Sequence, residues 1–279
     1  MTDPAPTPPE SKSLDRVVID AFVELWTTLV AFVKAPRALW GINLPFVLEG
    51  LSYFGILTIL GKFCSENVNL SDEFSGLVYS AVTGGITFAM LLLGGVSDRI
   101  GVRASLALSL GVMAVGRTLV SLSDTLPLGS GPGSPMFLLM AVGLFMMVSA
   151  YGLYQPAAYA GVKRYTTPKT AAMGYAVLYA LMNLGAFLFG WMSPPIRRAS
   201  ESAFPPNGLG GVLWAVTGIT ALSCVLTLIL ITRKVDRSAV DSVARETRRL
   251  RAASGKVPAQ AAPEGEEASP VSRTHVPMM

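Results

Sequence analysis

Two charged side chains stand deep inside long apolar stretches of this 279-residue chain: Glu49 within residues 39–60 and Arg117 within residues 104–122. A charge at the centre of a bilayer costs about 2.5–3.5 kcal/mol on insertion scales, so it is either paired or put to use. At helical rise Glu49 lies about 15 Å into its stretch and Arg117 about 20 Å into its own. The two heights differ by about one helical turn, within reach of two long side chains. Three chemistries fit. The two groups form a buried ion pair, or Glu49 faces a central cavity as a proton or amine site, or Arg117 snorkels alone to the nearer surface. Tyr53 follows Glu49 by four residues and shares its face, where its hydroxyl can bond a ligand or pack between helices. Tyr179 and Asn183 share a face in the same way, and an Asn in such a stretch bonds either a neighbouring helix or a solute.

These residues need elements that hold them in lipid. Apolar residues make up 51% of the chain and charged residues 14%, with a mean hydropathy of +0.51. Soluble domains carry roughly 25% charged residues, so this balance argues against a soluble enzyme and excludes a disordered chain. Six runs qualify as membrane spans: 39–60, 74–93, 104–122, 136–154, 171–192 and 212–231. Each is about 20 residues long, which crosses a hydrocarbon core of roughly 30 Å as a helix. Helices are required because lipid offers no partner to backbone N–H and C=O groups, and the alternation of a barrel strand is absent. The fold expected is therefore all-α, an integral membrane six-helix bundle. No histidine cluster, nucleophile–base pair or metal spacing falls in the spans, so neither an enzyme, a metal nor a cofactor is expected.

Lysine and arginine set the orientation. One side holds Lys34, Arg37, Arg99, Arg103, Lys163, Arg164, Lys169, Arg233, Lys234, Arg237, Arg245, Arg248, Arg249 and Arg251; the other holds only Lys62, Arg197 and Arg198. Both termini are expected in the cytoplasm, with the protein multi-pass in the plasma (inner) membrane. The net charge of +4 is explained by this bias, and no basic soluble face suggests nucleic acid. Residues 1–13 read as a disordered tail and carry no signal-peptide pattern. Over 14–34, Leu14, Val18, Phe22, Leu25, Leu29 and Phe32 recur at helical spacing among acidic residues, which suggests an amphipathic helix lying in the interface. Residues 233–253 read as a basic juxtamembrane helix able to touch anionic headgroups, and 254–279 as a Pro-, Ala- and Glu-rich disordered tail. Cys64 and Cys224 have no metal-ligand spacing.

Between the second and third runs stands Gly94-Gly-Val-Ser-Asp98-Arg99-Ile-Gly101-Val-Arg103. Taken singly, its glycines allow a tight reversal, Asp98 suits the positive end of the third helix, and the arginines hold the turn inside. Taken together, it resembles the G-x-x-x-D-R-x-G-x-R loop signature of the major facilitator superfamily, departing at Val102 where arginine is frequent. The resemblance implies that Gly94, Asp98, Arg99, Gly101 and Arg103 form a gating element that steadies one conformation, not a solute site.

Three further segments resemble the proton-dependent oligopeptide transporter family. Glu49-Gly-Leu-Ser-Tyr53-Phe-Gly55 is similar to E-R-F-x-Y-Y-G, Gly152-Leu-Tyr-Gln155-Pro156 to G-x-x-K-P, and Tyr179-Ala-Leu-Met-Asn183-Leu-Gly185 to F-Y-x-x-I-N-x-G-x-L. The chain departs from that family's E-x-x-E-R triad at Phe46 and Gly50, and it lacks a basic residue inside the fourth run. Short echoes, Tyr79-x-x-x-Thr83-x-Gly85 against Tyr179-x-x-x-Asn183-x-Gly185, suit a 3+3 inverted repeat. The resemblance implies the N-terminal six-helix half of a major facilitator, whose solute site lies between two halves. The function expected is secondary transport of a small polar solute, peptide-like and proton-coupled, by alternating access. Partners are then the lipid bilayer, the solute and a second six-helix half, either a copy of this chain or a separate one. The alternative is a non-transporting membrane subunit that regulates or binds another protein.

Overall fold

The computed structural model describes residues 37–168 and 170–253. The expected segments 1–13, 14–34 and 254–279 lie outside the described residues. Among the described residues six helices are long and apolar enough to cross a membrane: α1 (Arg37–Glu66), α2 (Asp72–Ile100), α3 (Val102–Thr125), α4 (Pro135–Tyr165), α5 (Ala171–Ser200) and α6 (Leu209–Leu230). A seventh, α7 (Arg233–Ala253), is polar and arginine-rich. The starts of α2 and α4 are written into the sequence: the hydroxyls of Ser71 and Ser134 accept from the backbone N–H of Phe74 and Phe137, satisfying donors that a helix start leaves free.

The helices outrun the hydropathic spans, because helix continuation needs no apolar side chain. This matters most after the second span. Instead of ending before Asp98, α2 runs through the motif to Ile100, and the reversal is made by Gly101 alone, with φ 84°. Asp98 thus lies in the last turn of α2, not at the start of α3, where no side chain caps the helix.

Packing follows a two-fold pattern. Helix α1 lies against α5 and α6, α4 against α2 and α3, and α3 against α6. Exchanging α1–α3 with α4–α6 turns the α1–α5 pair into α4–α2 and the α1–α6 pair into α4–α3, and returns α3–α6 to itself. That is the contact pattern of an inverted repeat. Small residues set the closest crossings, as in lipid, where packing rather than the hydrophobic effect joins helices. A Cβ on Gly116 of α3 would stand 2.7 Å from the carbonyl oxygen of Gly143 on α4, and one on Gly152 would stand 2.6 Å from the Ala89 backbone of α2. Helix α5 approaches α1 through Gly50, whose Cβ would lie 2.9 Å from the Met182 carbonyl oxygen, and through Gly185 against Val47 and Leu51.

Candidate functional site

The α3–α4 crossing at Gly116 brings the next residue, Arg117, under α4, and the α1 packing places Glu49 opposite it. The two form an ion pair. Arg117 Nη1 donates to Glu49 Oε2 at 2.9 Å and Nη2 to Oε1 at 2.5 Å, the bidentate fork that suits guanidinium and carboxylate. Both residues are 1% exposed. Of the three readings open from the sequence, the buried pair is the arrangement found, and Arg117 does not snorkel.

Two groups complete the cluster. The Tyr151 hydroxyl on α4 donates to Glu49 Oε1 and accepts from Arg117 Nη2 at 3.0 Å. Arg117 Nη1 also donates to the Thr220 hydroxyl of α6, which bonds the Val216 carbonyl at 3.1 Å. Within this cluster the Arg117 Nε is left buried without a partner. One residue each from α1, α3, α4 and α6 therefore meets at a single point, two from each three-helix repeat. Removing either member of such a pair leaves an uncompensated buried charge.

An aromatic collar surrounds the pair. Phe46 stacks on Tyr154 with centroids 5.9 Å apart, and Tyr151 meets Tyr53 and Tyr154 edge to face at 4.9 and 6.2 Å. Beside Glu49 a narrow crevice, without room for a water molecule, lies between α1, α4 and α5, bounded by Phe46, Gly50, Tyr154, Gln155 and Met182. Gly50 stands where the resemblance has arginine, and the α5 backbone fills that space.

The remaining sequence candidates lie elsewhere. Tyr53 touches the collar with its ring and is half-buried. Tyr179 is 68% exposed, and Asn183, also exposed, donates its side-chain amide to the Tyr179 carbonyl at 2.9 Å within α5. Gly94 lies against Pro156 of α4. Asp98 and Arg99 are exposed, and Asp98 shares a pocket with Lys163 and Arg164. Arg103 caps another helix: its Nε donates to the Ile231 carbonyl at 2.7 Å, while Arg37 Nη2 reaches Ile229 at 3.2 Å, so two arginines bind the free carbonyls closing α6. Helix α7 is pinned just beyond, where Asp236 accepts from the Tyr165 hydroxyl at 2.7 Å and pairs with Arg164 at 3.4 Å. Among the described residues no cluster of His, Cys, Asp and Glu has the makings of a metal site.

Sequence reasoning missed Tyr151, Tyr154 and Thr220. A signal existed for Thr220, since Thr217, Thr220, Ser223 and Thr227 form a polar stripe at helical spacing along α6. Tyr151 had none, as tyrosines in an apolar helix usually pack.

Comparison with known proteins bears on this arrangement. No curated protein matches the chain in sequence. Its fold is similar to tetrameric PepTSo2 (TM-score 0.61, 17% identity, 78% of this chain and 51% of that one). It is similar also to a bacterial homologue of the human drug peptide transporters PepT1 and PepT2 (0.61, 18%, 78% and 54%). A third is a POT family transporter in complex with 5-aminolevulinic acid (0.55, 16%, 80% and 48%). The chain thus spans about half the length of these structures. A profile of the Major Facilitator Superfamily matches residues 43–271, most of the sequence, and with six apolar helices in the arrangement of one half of that fold, this multi-pass membrane protein belongs to the Major Facilitator Superfamily.

Proposed function

We propose that the chain is one six-helix half of a secondary transporter that moves a small polar, peptide-like solute with protons by alternating access. The observation that carries the reading is the Glu49 carboxylate, buried with Arg117 and Tyr151 at the meeting point of both repeats, in a bundle whose structural relatives include peptide transporters. A proton arriving on Glu49 removes the charge that Arg117 and Tyr151 both address, which is the differential contact a conformational change requires. The second half is a copy of this chain or a separate one, and it covers the open faces of α2 and α5, where Leu91 is 80%, Trp191 74% and Phe187 62% exposed. Both ends of the bundle's chain lie in the cytoplasm in this reading, in the plasma (inner) membrane. Asp98 and Arg99 act in gating on that side, with Gly94, Gly101 and Arg103 shaping the turn they stand on. Tyr53, Tyr179 and Asn183 face the solute or the companion half. No catalytic step or cofactor is part of the cycle.

Flux into proteoliposomes, with and without an imposed pH gradient, tests this. Gradient-dependent uptake of dialanine or of a neutral capped analogue supports it; no uptake of either counts against it.

A second reading has its own observation. Glu49 is fully bonded by its neighbours, and a sealed ion pair is also what a non-transporting membrane subunit retains for assembly alone. Replacing Glu49 and Arg117 together by glutamine leaves biological activity intact in that case.

A further inference from the structure

Helices α2 and α5 occupy equivalent places in the internal repeat, and both are poorly covered. Each has five buried residues, against nine to seventeen in the other four spans. Their open sides are not uniformly apolar. On α2, Asp72, Gly76, Tyr79, Thr83 and Thr87 recur at helical spacing, exposed except for the half-buried Thr83. On α5, Asn183, Phe187, Gly190, Pro194 and Arg198 recur in the same way, all exposed. The Thr83 and Thr87 hydroxyls and the Asn183 amide bond only carbonyls of their own helices. Gly76 and Gly190 face open space. Small and polar residues are what a span presents to another helix rather than to lipid. The ends add charge. Asp72 and Glu73 open α2 at the end of the bundle opposite Arg37, and Arg197 and Arg198 close α5 at that same end, where each suits its own helix dipole. The side chains of Asp72, Glu73 and Arg198 have no partner among the described residues, and Arg197 uses only its Nε, on the Asn207 carbonyl. Glu201 stands one turn on and leaves the α5 end net positive.

Resting on the half-transporter reading above, we propose that the companion half is a second copy of this chain, with α2 of each copy seated along α5 of the other. A two-fold axis along the membrane normal keeps both copies in one orientation and makes the contact twice. Charge selects this pairing. Setting α2 on α2 would bring Asp72 and Glu73 against their own counterparts, and setting α5 on α5 would bring arginine against arginine. The residue spacing agrees with the charges. Laid antiparallel with Asp72 beside Arg198, steps of four, eleven and fifteen residues along each helix bring Gly76 level with Pro194, Thr83 with Phe187 and Thr87 with Asn183. Thr87 and Asn183 then supply each other a polar partner outside their own helices.

The test is cross-linking between copies of the full chain in dilute proteoliposomes. Gly76→Cys and Pro194→Cys place thiols one turn inside the charged ends and leave every charge in place; the parent, with Cys64 buried and Cys224 half-buried, is the blank. A bismaleimide is expected to join Gly76→Cys to Pro194→Cys when the two variants are co-expressed, and neither variant to itself. Asp72→Arg or Arg198→Glu alone should weaken pairing about tenfold, read as the paired fraction by single-molecule photobleaching, and the two changes in one chain should restore it. Cross-links within either variant alone, none in the mixture, a chain that stays monomeric, or a double reversal that fails to restore pairing would each overturn the proposal; a separate second half or lipid then covers these faces. Flux measured on the same vesicles separates the two claims. Uptake by a monomer sinks only the second copy, and paired copies without uptake sink only transport.

Discussion

Arg117 of α3 grips Glu49 of α1 through both terminal nitrogens, at 2.9 and 2.5 Å, in a site that water does not reach. The pair joins helices that the sequence separates by 68 positions, and through Tyr151 and Thr220 it ties the two three-helix repeats into one body.

Breaking one side of the pair should be worse than removing it whole. Arg117→Gln leaves a buried carboxylate and is expected to destabilise the bundle by about 3–5 kcal/mol, while Arg117→Gln combined with Glu49→Gln recovers much of the loss. Denaturant unfolding in mixed micelles, run as a double-mutant cycle, checks this. Additive losses would mean that the pair contributes nothing as a pair.

The crossing that delivers Arg117 to Tyr151 depends on two glycines. A Cβ on Gly143 would stand 2.5 Å from the Gly116 carbonyl oxygen. Gly143→Val should push α3 and α4 apart and cost about 1–3 kcal/mol or more, whereas Gly84→Ala, with open space around it, should cost less than about 1 kcal/mol. Thermal denaturation of the two variants gives the comparison.

Helix α7 should be released separately from the bundle. The Arg164–Asp236 pair is partly exposed, so it contributes at most about 1 kcal/mol. Asp236→Ala also removes the acceptor of the Tyr165 hydroxyl. Hydrogen exchange is expected to quicken over 233–243 while the melting temperature of the spans stays put. Unchanged exchange in α7 would show that Ala239 and its apolar neighbours hold it without Asp236.

Orientation is open to direct measurement. Lys62→Cys and Arg99→Cys lie at opposite ends of the bundle, and a membrane-impermeant maleimide should label the first from outside intact cells and the second only after permeabilisation. Labelling of both from one side contradicts the topology.

The spans were legible in the sequence, and the ion pair was one of three readings it left open, for one reason: lipid penalises charge so strongly that a Glu and an Arg in apolar runs are paired, put to use or drawn to the surface. The limits have physical causes too. Asp98 reads as the start of α3 by charge alone, yet α2 continues past it, because a helix end is fixed by backbone geometry at Gly101 and not by hydropathy. Arg103 was legible as a basic turn residue, but its grip on the Ile231 carbonyl depends on where α6 ends, 128 positions away. Tyr151 is neutral and unmarked in its own span, and Thr220 shows only as one member of a polar stripe along α6, which does not say what it bonds. Asn183 matches a motif well and still lies on the open surface of α5, where only a partner surface or lipid gives it a neighbour beyond its own helix.

The central claim is that the Glu49 carboxylate carries the coupling proton. Gradient-driven uptake of N-acetylalaninamide into proteoliposomes tests it most directly, comparing the parent with Glu49→Gln combined with Arg117→Gln, which keeps the site neutral and filled. The account predicts that the parent accumulates solute only with an inward proton gradient, and that the double variant, folded and correctly inserted, equilibrates solute without responding to it. Equal gradient-driven accumulation by both proteins would contradict the claim.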